Sequence, residues 1–149
     1  MAVTAIHIDS VGKTVKAVQY DPTNYKNIYP FLSVSKESPC DCFTMGDMGD
    51  EMAEVIKTLF PKWEAKFEGM ESTEVSLFVD DEGLLNQEAM AHSFFIAGSY
   101  QPFAGSGLII LTTTDDEGDE HNQSFDDDDL KTILDWLTAN IKFDTARAL

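Results

Sequence analysis

The chain of 149 residues carries 27 acidic against 10 basic side chains, a net charge of −17, with 43% apolar residues and a single arginine, Arg147. That length and apolar fraction suit one domain burying roughly two thirds of its unfolded surface, and exclude a wholly disordered chain. The charge excludes direct binding to nucleic acid, whose phosphates demand clustered Lys and Arg, and to anionic membranes.

No run approaches the ~18 apolar residues of a bilayer span, and MAVTAIHIDSVGK lacks the basic start and apolar stretch of a secretory signal. A soluble, cytoplasmic protein is expected. Cys40 and Cys42 stand one residue apart, too close for an unstrained mutual disulfide and too few for a secreted scaffold, so reduced thiols are expected.

In chain order, Val3 to Asp9 reads as a strand with Ile6 and Ile8 on one face and His7 toward solvent on the other. Gly12 marks a turn, and Thr14 to Tyr20 is the hairpin partner. Tyr25, Ile28, Tyr29 and Leu32 fall at helical spacing, but Pro30 shortens or distorts that helix. CDCFTMG reads as a short strand followed by a GDMGD loop. Asp50 to Phe60 is a helix with Met52, Val55, Ile56 and Leu59 as its apolar stripe, ended or bent by Pro61; Trp63 and Phe67 extend it a turn or two.

Glu74 to Val79 is a strand, Asp80-Asp81-Glu82-Gly83 a turn, and Asn86 caps one or two helical turns to Ala91. Phe94 to Ile96 and Ser106 to Thr113 are further strands, the second nearly continuous in apolar residues and therefore central. An acidic loop over about 115–126 leads into a C-terminal helix over about 127–141, capped by Ser124 or Asp126, that buries Leu130, Ile133, Leu134, Leu137 and Ile141. Without repeats or linkers, the expectation is one α+β domain over 1–149. It should be a mainly antiparallel sheet of about five strands with two or three helices packed on it.

No motif carries catalysis. Gly105-Ser106-Gly107 precedes a strand, whereas a phosphate-cradling loop opens a helix. From Asp115 the acids Glu117 and Asp119 match a calcium loop, but Glu120 stands where the turn needs Gly. Cys40 and Cys42 with His7, His92 and His121 lack the C-x₂₋₄-C spacing of structural zinc, and Asp41 raises rather than lowers a neighbouring thiol's pKa. No metal, cofactor or carboxylate pair is nominated, and a non-enzymatic protein is expected.

The remaining feature is charge. Asp115, Asp116, Glu117, Asp119, Glu120, Asp126, Asp127, Asp128 and Asp129 fall in one tenth of the chain with no Lys or Arg among them. Acids at a helix N-terminus stabilise its dipole by ~0.3–1 kcal/mol each, but four in succession exceed that need because like charges repel. At a rise of ~1.5 Å per residue their density approaches duplex DNA's one charge per ~1.7 Å. These residues are the candidate partner-binding face, as against a merely solubilising one.

The text LFVDDEGLLNQEAMAHSFFIAGSYQPFAGSGLIIL contains Asp81-Glu82-Gly83, Asn86-x-x-Ala89 and the late glycines Gly105 and Gly107. It resembles an uncharacterised domain family of bacteriophages and mobile elements, and AIHIDSVGKTVKAV resembles that family's first hairpin. The resemblance covers residues 3–114 and leaves the acidic loop and last helix as an addition. It implies a phage-type accessory protein, and it transfers no functional residue. Together with the charge it leads to an acidic accessory protein that binds a basic surface of a host protein, as a nucleic-acid mimic or inhibitor. The alternative is a small-ligand module with a pocket lined by Phe94, Phe95, Tyr100 and Phe103.

Overall fold

A computed structural model describes residues 2–32, 40–80, 92–99 and 102–143, without the side chains of Tyr25, Cys40 and Asp80. The fold is α+β. Strands β1 (Val3–Asp9), β2 (Thr14–Tyr20), β3 (Cys40–Thr44), β4 (Ser72–Asp80), β7 (Gly107–Thr114) and β8 (Glu120–Gln123) form a six-stranded sheet. Its order is β2-β1-β7-β4-β3, with β8 following β1 along the same side of β7. Every pairing is antiparallel. Strands β5 (Ser93–Ile96), β6 (Phe103–Ala104) and β9 (Ile141–Phe143) form a smaller sheet in the order β6-β5-β9.

The apolar run GLIILTTT places β7 between β1 and β4, where both faces are covered, as its composition predicts. On one face Ile6, Ile8, Val75, Leu77, Ile109 and Leu111 pack against helices α1 (Asp50–Leu59), α2 (Trp63–Lys66) and α3 (Asp127–Asn140). On the other, Ala5, Leu108 and Ile110 pack against Ile28 and Leu32 of and beside a 3-10 helix, Tyr25–Phe31. Asn24 caps that helix, and Pro30 inside it explains why it is not an α-helix. At Gly107 any Cβ would lie 2.9 Å from Leu77 and 3.0 Å from the Phe94 ring, so glycine lets β7 pass beneath the small sheet.

Several expectations need correction. His7 is half-buried, not solvent-facing: Val3 and Ala5 share its face of β1, and the 3-10 helix covers them. Its Nε2 lies 2.8 Å from the Phe31 carbonyl oxygen, and burial holds its pKa below the usual value. The acidic loop ends at Asp119, because Glu120–Gln123 is strand β8, joined to β7 by backbone pairing that needs no apolar alternation. Ile141 belongs to β9 opposite Ile96, so the last helix stops at Asn140. Trp63 and Phe67 do not continue α1 but mark the separate short helix α2. The turn at Asp81-Glu82-Gly83 and the helix capped by Asn86 lie outside the described residues.

Candidate functional site

The acidic stretch divides into two groups at opposite ends of β8, and each spends some carboxylates on its own architecture. At the β7–β8 turn, the Gly118 N–H donates to the Asp115 carbonyl at 3.1 Å, and Gly118 takes φ +84°, a conformation glycine adopts readily. Asp115 Oδ1 accepts the N–H groups of Glu117 and Asp119, each at 2.9 Å, and Oδ2 accepts His121 Nε2 at 2.8 Å. The bond from His121, then those from the backbone, hold the Asp115 carboxyl below the ordinary range. Asp115 therefore builds the turn, and the calcium-loop reading loses its first ligand. Asp116, Glu117, Asp119 and Glu120 are exposed.

At the start of α3, Asp126 is the cap: its Oδ1 accepts the Asp129 N–H at 2.8 Å. Its Oδ2 takes Lys66 Nζ at 2.5 Å, and Asp129 Oδ2 takes the Trp63 indole Nε1–H at 2.8 Å, with Lys66 at 3.5 Å. The Lys66 and Asp129 bonds hold Asp126 below the usual carboxylate range. Burial works against the Lys66 ammonium, but the Asp126 hydrogen bond and both negative charges outweigh it and raise the Lys66 pKa. Trp63 is itself fixed by stacking on Phe60, centroids 3.9 Å apart and planes 3° from parallel. Helix α2 thus fastens the beginning of α3.

Of the nine acids singled out by sequence, Asp115, Asp126 and Asp129 are engaged inside the molecule, whereas Asp127 and Asp128 join the four turn acids as exposed. Among the described residues no Lys or Arg pairs with these six exposed carboxylates. Asp128 stands on the lip of an open groove of about 560 Å³ between α2 and α3, whose lining includes Phe60, Pro61, Trp63 and Lys66. Sequence reasoning missed Trp63 and Lys66 as organisers of the site. Their signal was a lysine and an indole donor placed together just past Pro61 in a chain short of bases.

The other candidates resolve simply. Phe94 and Phe103 are core residues, with ring centroids 5.4 Å apart and Phe103 a further 5.3 Å from Phe43, so these rings fill space that a ligand would need. Phe95 is half-buried on the same short strand, and Tyr100 lies outside the described residues. Gly105-Ser106-Gly107 is a turn feeding β7, with the buried Ser106 hydroxyl accepting the Ser10 N–H at 2.9 Å. Cys42 is exposed. Among the described residues no three His, Cys, Asp or Glu side chains gather in a metal-holding group. No helix among them is long and apolar enough to cross a membrane. Comparison with protein-family models, curated proteins and solved structures gives no match.

Proposed function

We propose that this protein is a non-enzymatic, phage-type accessory protein of the host cytoplasm that binds a basic surface of a host protein. The phage-type origin and the host-cell location rest on the sequence resemblance. The observation that carries the binding role is the split among the acids. Asp116, Glu117, Asp119, Glu120, Asp127 and Asp128 are exposed, without a basic partner among the described residues, while their neighbours Asp115, Asp126 and Asp129 fix the backbone beneath them. Charges held on a fixed frame attract a cationic partner and set its register better than charges on a loose tail.

The nucleic-acid-mimic version loses support, because only two of the four successive helix carboxylates face solvent unpaired. A pair of charges is not a phosphate row. The appropriate test neutralises only the exposed set, with Asn for Asp and Gln for Glu. Proteins captured from a bacterial lysate by wild type at about 0.05 M salt should be released at about 0.5 M, where screening shortens to a few ångströms. The neutralised protein should fail to capture them at low salt. Retention of the same proteins by the neutralised variant would end this reading.

A further inference from the structure

Helix α1 carries more apolar surface than the core takes up. Of the stripe Met52, Val55, Ile56 and Leu59, only Met52 is fully buried, and Val55, Ile56 and Leu59 remain partly exposed. Val55 and Leu59 line an open groove of about 450 Å³ with Trp136 of α3, and Glu51 and Glu54 stand at its rim. Trp136 is half-buried, and its indole N–H makes no hydrogen bond to a described residue, in contrast to Trp63, whose indole donates to Asp129. A half-buried indole beside aliphatic side chains is the kind of anchor that dominates binding surfaces.

This groove is not isolated. Leu59 also lines the groove between α2 and α3, so the two meet at that residue, and the charged lining of the second is Lys62, Lys66, Asp126, Asp128 and Asp129. From Asp128 to Trp136 along α3 is roughly 12 Å at the helical rise of ~1.5 Å per residue. The result is an apolar trough with Glu51 and Glu54 at one end and, at the other, Asp128 with Lys62 and the Lys66 that Asp126 and Asp129 already engage. Among the described residues Glu54 pairs with Lys57, at 3.8 Å with both side chains well exposed, so its charge remains open to a partner.

From this arrangement we infer that the trough between α1 and α3 receives a cationic amphipathic helix of the partner. Its aliphatic face rests on Val55, Leu59 and Trp136, and its flanking Lys or Arg residues lie over Glu51, Glu54 and Asp128. The charge pattern selects this occupant: a second copy of a chain with net charge −17 would be repelled, whereas a basic helix meets Glu51 and Glu54 beside an apolar floor. The inference rests on the proposed role and supplies its recognition element.

The probe is a synthetic helical peptide of Leu and Lys patterned to give one apolar face, with a Leu/Glu peptide of the same pattern as control. The readout is the indole N–H resonance of Trp136, assigned with Trp136→Phe, at about 0.05 M salt, where charge attraction is little screened and a shift confined to Trp136 reports docking in the trough. The expected result is movement of the Trp136 signal, but not that of Trp63, with the Leu/Lys peptide alone. Trp136→Ala and Val55→Asp should each weaken binding at least about tenfold, as loss of a central anchor does. An unmoved Trp136 signal, equal binding of the Leu/Glu peptide, or a peptide-free dimer abolished by Trp136→Ala would overturn the inference. If the exposed-acid variant loses its lysate partners while Trp136 stays silent to the peptide, the docking inference alone fails. If that variant keeps them, the binding role fails first.

Discussion

The β7–β8 turn, with five acids, and the start of α3, with four, are alike in sequence and differ in what their carboxylates do. In the turn, one side chain, Asp115, gathers two backbone N–H groups and His121, and leaves its acidic neighbours outside. At the helix start, two of four aspartates are consumed, one as cap and salt-bridge partner, the other by an indole. The comparison teaches that a count of acids overstates an electronegative surface. What matters is which carboxylates the fold has already engaged.

The sharpest way to break the comparison is to remove the element that makes the helix end different. Trp63 is 6% exposed and stacked on Phe60. Trp63→Ala should therefore cost roughly 3–5 kcal/mol in urea unfolding, the range for large aromatic deletions. A loss near zero would mean that α2 does not hold α3. Next, Asp126→Ala should destabilise by about 1 kcal/mol, the worth of an N-cap, whereas Asp127→Ala should stay within about 0.5 kcal/mol. Equal effects would erase the distinction between engaged and exposed acids.

Acid titration sharpens it further. Asp115 and Asp126 have folded-state pKa values below the ordinary carboxylate range. Each therefore contributes stability that is present above its unfolded pKa and lost as pH falls through the lower folded value. Melting temperature should drop from about pH 4 downward, and less steeply in Asp126→Asn than in wild type. The smallest effect concerns the opposite face of the sheet. Burial depresses the pKa of His7, so its contribution is complete above the unfolded value near 6.5 and declines as pH falls toward the folded one. His7→Gln should flatten the stability profile below about pH 6.5 and leave it unchanged above.

These contrasts mark how far sequence reading reaches. Strands β1, β2, β4 and β7 and helices α1 and α3 were legible because period-two or helical spacing of Ile, Val and Leu states which face is buried. Strand β8 was not, because EHNQ has no apolar alternation; backbone pairing with β7 and polar side-chain bonds of His121 and Gln123 hold it. His7 was misread although Val3 and Ala5, on its own face, signal a strand covered on both sides. The acidic candidates were legible as charge. Their division was not, since Trp63 and Lys66 reach Asp129 and Asp126 from 66 and 60 positions away in the chain.

The most direct measurement compares capture of lysate proteins by two variants of equal charge. One neutralises Asp116, Glu117, Asp119, Glu120, Asp127 and Asp128; the other neutralises Asp47, Asp50, Glu64, Glu68, Glu71 and Asp135, which are also exposed. The first should lose the salt-sensitive partners that wild type retains, and the second should keep them. Equal loss in both, or none in either, would mean that the exposed carboxylates of the C-terminal third do no more than keep the protein in solution.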